Sequence, residues 1–77
     1  MDNTIKNQQP KPFFMLNGES RLCAGALTPA SLIEELGLPL QTLVVELNGA
    51  IVKKENYALV AIKPGDQVEI IRFVGGG

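Results

Sequence analysis

Val68-Glu69-Ile70-Ile71-Arg72-Phe73-Val74-Gly75-Gly76-Gly77 closes the sequence, and it reads as a β-strand that runs directly into three glycines. Side chains alternate across a strand, so Val68, Ile70 and Arg72 share one face and Glu69, Ile71 and Phe73 share the other. Glu69 is charged where Val68 and Ile70 are apolar, which turns the first face toward a core. Ile71 and Phe73 then lie on the outer face beside the tail. Together with Val74 they form a candidate partner-binding surface, since apolar groups left in contact with water near a chain end mark contact sites. The alternative is that another part of the chain covers them. The glycines also admit two readings. Gly carries no side-chain bulk and is permissive in backbone, so Gly75, Gly76 and Gly77 can thread a narrow channel in another protein and present the Gly77 carboxylate there. The alternative is a disordered tail. The threading reading gains because the strand delivers the glycines without a polar linker.

The 77 residues allow one small domain, and the 45% apolar fraction belongs to a globular chain. A formal net charge of -1 with no basic run gives no reason to expect nucleic-acid binding. No apolar stretch approaches a membrane span, and the N-terminus has no signal-peptide core, so a cytoplasmic protein without membrane attachment is expected. Histidine is absent and Cys23 is the single cysteine. An internal disulfide, a Ser-His or Cys-His nucleophile pair and a Cys- or His-based metal site are therefore out of reach of this chain. Cys23 has no activating neighbour in sequence and reads as a small buried apolar residue. Asp66, Glu69 and Glu46 are the carboxylates near the last strand; nothing in their spacing pairs them, and they read as solvated face residues. No catalytic residue is assigned.

Working outward from that strand, Met1 to Pro12 is polar and ends in Gln8-Gln9-Pro10-Lys11-Pro12, a flexible extension. The domain is expected over 13–74, with 75–77 a flexible tail. Phe13-Phe14-Met15-Leu16 reads as a short strand, Asn17-Gly18 as a tight hairpin turn, and Glu19 to Ala24 as the returning strand. Thr28 is a good N-cap and Pro29 suits the first helical position. Leu32, Ile33 and Leu36 form an apolar stripe, while Glu34 and Glu35 face water. Gly37 stops the helix and Pro39 prevents continuation. With about two turns, this helix needs a sheet to pack on. Thr42 to Leu47 is a third strand, with Leu43, Val45 and Leu47 on one face. Asn48-Gly49 is a second tight turn and Ala50-Ile51-Val52 pairs back. Lys53 to Asn56 is a polar connection ending in Tyr57, which plugs an edge of the core. Lys63-Pro64-Gly65-Asp66 is a turn leading to the last strand. One amphipathic helix on a mixed sheet of four to five strands is an α+β roll. One face of such a sheet is covered by the helix and the other is free for a partner.

This order, ending in a strand and Gly-Gly, resembles the ubiquitin-like β-grasp family. Glu46-Leu47-Asn48-Gly49-Ala50-Ile51-Val52 is similar to the VNGEIV segment of the ThiS sulfur carriers of thiamine thiazole biosynthesis, and Gly65 to Gly77 is similar to their ending GDxVEIVxFVGGG. Asn56-Tyr57 falls where those carriers often have a small polar residue before an aromatic. The likeness covers roughly Phe13 to Gly77, in its first half mainly by pattern. It implies a carrier, not an enzyme. The Gly77 carboxylate would be adenylated by a ThiF-like adenylating enzyme using ATP, with no cofactor bound by the carrier itself. It would become a thiocarboxylate through a sulfur-donating enzyme and would pass its sulfur to a ThiG-like thiazole synthase. Gly76 provides the narrow approach and Gly75 extends the reach. The small subunit of molybdopterin synthase shares these features and differs in acceptor. A β-grasp binding module with no covalent chemistry is the reading from another class.

Overall fold

The computed structural model describes residues 12–23 and 25–73. Five strands and one helix follow in the order β1 (Phe13–Leu16), β2 (Glu19–Leu22), α1 (Pro29–Leu36), β3 (Leu43–Leu47), β4 (Ala50–Val52) and β5 (Gln67–Arg72), with single 3-10 turns at Leu40–Thr42 and Lys54–Asn56. The strands form one sheet in the order β2-β1-β5-β3-β4. The last strand is thus the middle of the sheet. It runs parallel to β1 and antiparallel to β3. Among the described residues this is a mixed sheet packed on one helix, as the β-grasp likeness implies.

Both hairpins are set by their turn residues. Asn17-Gly18 and Asn48-Gly49 have positive φ at both positions, 50° and 85° in the first and 51° and 87° in the second. Two-residue turns of this kind match the right-handed twist of the flanking strands, and Asn and Gly are the residues that tolerate them. The first hairpin pairs Phe13 with Leu22 through Leu16 with Glu19. Strand β2 ends at Leu22, though Cys23 still donates its N–H to the Pro12 carbonyl at 2.6 Å; Ala24, to which the pattern extends the strand, lies outside the described residues. Leu22 points outward and is exposed, while Cys23 turns into the core and its thiol donates to the Ile62 carbonyl at 3.4 Å.

Helix α1 begins where Thr28 and Pro29 place it. The Thr28 hydroxyl accepts from the Ser31 N–H at 3.1 Å, and the Ser31 hydroxyl accepts from the Thr28 N–H at 3.0 Å. This is a reciprocal capping box with Ser in the place usual for Glu or Gln. A further donor of the first turn, the Ala30 N–H, bonds the Tyr57 carbonyl at 2.9 Å and ties the helix start to the β4–β5 connection. At the other end Gly37 adopts φ 70°, and Leu38 N–H reaches back to the Ile33 carbonyl at 3.2 Å.

The core lies between α1 and one face of the sheet. Leu32 and Ile33 of the helix meet Phe14 and Leu16 of β1, Leu43 and Val45 of β3 and Val68 of β5, with Cys23, Tyr57 and Ile62 closing the ends. Ile70 and Leu36 pack at its margin. Strand β3 begins at Leu43, one residue later than the pattern predicts, because Thr42 belongs to the preceding 3-10 turn.

Candidate functional site

The alternation read from sequence fixes what β5 presents. Val68 is buried and Ile70 half-buried on the core side, whereas Ile71 is 41% and Phe73 63% exposed on the opposite face. The register sets Ile71 against Val44 on β3. Phe13, Met15 and Leu22 form a second exposed apolar group on the same face, at the other end of the sheet. Between the two lie Gln67 and Glu69 of β5 and Glu46 of β3, and beyond Glu46 the exposed Ile51 of β4 stands on the same face. The sequence reading missed one feature of this face. Glu46 and Glu69 sit directly opposite each other on neighbouring strands. No local signal could show it, because β3 and β5 are joined by a long connection and not by a hairpin. The pair lies on an open surface and not in a cleft, so it is a like-charge contact without the geometry of an acid–base pair.

Two asparagines hold β5 from opposite ends, and only their turn role was visible in sequence. Asn48, in the β3–β4 turn, donates its own N–H to the Gln67 carbonyl at 2.7 Å, accepts from the Gln67 N–H through Oδ1 at 2.9 Å, and donates through Nδ2 to Asp66 Oδ1 at 3.0 Å. The other oxygen of Asp66 accepts from the Lys63 N–H at 2.8 Å, which closes the turn before β5. Asn17, in the β1–β2 turn, takes both backbone groups of Ile70: Oδ1 accepts from its N–H at 2.8 Å and Nδ2 donates to its carbonyl at 3.3 Å. The chain leaves β5 with the Phe73 N–H still donating to the Thr42 carbonyl at 2.9 Å.

Val74, Gly75, Gly76 and Gly77 lie outside the described residues, as does the N-terminal extension up to Lys11. Among the described residues no three His, Cys, Asp or Glu side chains converge as a metal site, and no helix is long and apolar enough to cross a membrane. The site is therefore a surface and a direction: an outer sheet face with Ile71 and Phe73 on the strand that feeds the glycines.

The ThiS family model matches residues 14–77, from the first buried position of β1 through the last glycine. The chain belongs to the ThiS family. The crystal structure of a thiamine biosynthesis protein (ThiS) from Geobacter metallireducens matches with a TM-score of 0.72 at 31% identity, covering 84% of this chain and 99% of that one. A solution structure of a thiamine biosynthesis protein from the same organism gives 0.70 and 31%, covering 84% of this chain and 87% of that one. A thiazole synthase of Paramagnetospirillum magneticum is 43% identical over 63 residues, which are 82% of this chain and 19% of that protein. A thiazole synthase of Magnetococcus marinus is 36% identical over 62 residues, 80% of this chain and 19% of that protein. This ThiS-family chain thus spans about a fifth of the length of the thiazole synthases it matches.

Proposed function

We propose that this chain is a sulfur carrier for thiazole formation in thiamine biosynthesis, acting as a protein substrate and not as an enzyme. The observation that carries the reading is the exposure of Ile71 and Phe73 on the strand that leads to Gly75-Gly76-Gly77, in a chain of the ThiS family. A free carboxylate at Gly77 is the working group. A carboxylate is a poor electrophile, so it needs a leaving group before its oxygen can be exchanged. A ThiF-like adenylating enzyme supplies one: a Gly77 oxygen attacks the α-phosphorus of ATP, pyrophosphate departs, and an acyl-adenylate results. A sulfide-level nucleophile from a sulfur-donating enzyme then attacks the acyl carbon and AMP departs, leaving a thiocarboxylate. The acid, base and metal chemistry belongs to the partners, and the chain without histidine has little of its own to add. The thiazole synthases that contain a segment similar to this chain support a ThiG-like synthase as the acceptor. Ile71 and Phe73 on the outer face, with Val74 following them in sequence, are the docking surface, and Gly75 and Gly76 pass through the partner's channel.

The test is the intact mass of the protein after incubation with a cognate adenylating enzyme, ATP and a sulfur source. A gain equal to the difference between sulfur and oxygen, mapped to Gly77, is the expected outcome. No gain, with the same enzyme active on a known carrier, points to a binding module, which would keep its partner's affinity when Gly76 and Gly77 are removed. Threading has its own check. Gly76→Val adds a β-branched side chain where the channel is narrow, and adenylation is expected to slow by at least about tenfold. A normal rate would show that the tail does not thread.

A further inference from the structure

The bonds along β5 alternate in side. Odd-numbered residues face β3, with Gln67 bonded to Asn48 at one end and Phe73 to Thr42 at the other. Even-numbered residues face β1. The Asp66 carbonyl accepts from the Met15 N–H and the Val68 carbonyl from the Asn17 N–H, each at 2.9 Å. Strand β1 is short and its register with β5 ends at Leu16 and Val68. The chain turns away at Asn17-Gly18, so the next rung, at Ile70, has no strand beside it. The Asn17 carboxamide fills that place. A carboxamide has the donor and acceptor of a peptide group, and here it takes both the N–H and the carbonyl of Ile70, extending the parallel ladder by one rung. Past it, the β1 side of Arg72 has no strand among the described residues. Support on both sides of β5 therefore ends at Asn17, immediately before Ile71 and Phe73. Gly would satisfy the φ of 50° at this turn position, but it would not supply the rung.

We propose that Asn17 is a positioning residue for the end of β5: its carboxamide fixes the line on which the strand leaves the sheet, so that Ile71 and Phe73 reach the adenylating enzyme already aligned. This rests on the carrier reading above. A strand end that frays must be ordered again at each encounter, and that cost weakens docking without altering chemistry on the docked tail.

Asn17→Gly in the full chain keeps the turn and removes the rung. The corresponding change in the other hairpin, Asn48→Gly, removes the side-chain bonds to the Gln67 N–H and to Asp66, keeps the backbone bond to the Gln67 carbonyl, and serves as a control for general loss of stability. For Asn17→Gly, amide exchange at Ile70 is expected to rise about tenfold or more while exchange at Glu69, which faces β3, changes little. In pyrophosphate-release kinetics with ATP and a ThiF-like enzyme, KM for the carrier is expected to rise about fivefold with kcat unchanged. Asn48→Gly is expected to lower the thermal midpoint at least as far without that KM change. Asn17→Asp, which keeps the acceptor for the Ile70 N–H, should recover part of the KM. Unchanged exchange at Ile70 would remove the rung. Faster exchange with an unchanged KM, or equal KM changes in Asn17→Gly and Asn48→Gly, would leave Asn17 a purely structural residue and overturn the proposal. Failure of the wild-type chain to be adenylated overturns the carrier reading and the positioning role with it, and is told apart by the wild-type assay alone.

Discussion

Glu46 and Glu69 face each other on the outer side of the two central strands, and like charges set directly opposite on a sheet repel. Glu69→Gln removes the repulsion and keeps the side-chain shape, so the free energy of urea unfolding should rise by about 0.3–0.5 kcal/mol in low salt. The gain should shrink in high salt, where the repulsion is screened. Asp66 carries the opposite expectation. Its two oxygens serve Lys63 and Asn48 and so hold the turn that starts β5. Asp66→Ala should cost about 1–2 kcal/mol in urea unfolding, since two donors lose a charged acceptor although both stay near water. Neither the carboxylate pair nor the second duty of the asparagines was legible in the sequence. Asn17 and Asn48 announced themselves as turn residues because the following Gly is adjacent. Their side-chain partners are 53 and 19 residues away, and spacing says nothing at that range.

Helix α1 shows the reverse case, where nearly everything was local and therefore readable. Thr28, Pro29, the Leu32-Ile33-Leu36 stripe and Gly37 each act within a turn or two of their own position, and the structure puts the helix at Pro29–Leu36. The missed detail is the reciprocal bond from Ser31, a residue seldom assigned to that cap. Gly37→Ala is a clean test of the helix end. A Cβ there meets nothing within 4 Å, so only the strain of φ 70° is added, and a loss of about 1 kcal/mol is expected in thermal or urea unfolding. The strands were legible as elements but their order was not. The parallel pairing of β1 with β5 joins the two ends of the domain through two register positions, and no periodicity within either segment carries that information. The sequence pattern starts β3 one residue early, where a 3-10 turn precedes the strand, and runs β2 past Leu22, where Cys23 turns inward.

At the scale of the whole molecule, the proposed carrier role gives one face of the sheet to stability and the other to recognition. Leu32, fully buried against the sheet, should cost about 2–5 kcal/mol when cut to Ala. Phe73→Ala should change stability by less than about 0.5 kcal/mol while raising KM for the carrier in the adenylation assay. Equal effects of both substitutions on unfolding would mean that the outer face is covered in the native protein. The exposed outer positions Ile71 and Phe73 were readable from alternation alone once the strand was recognised, whereas their cross-strand neighbours, Val44 beside Ile71 and Glu46 between Glu69 and the exposed Ile51, needed the register. The central place of β5 has a mechanical consequence. Tension applied past Arg72 runs along the strand and loads its bonds to β1 and β3 side by side, in shear. An edge strand such as β4 would instead peel away one bond at a time. Under a load along β5 the body of the sheet is expected to hold its shape.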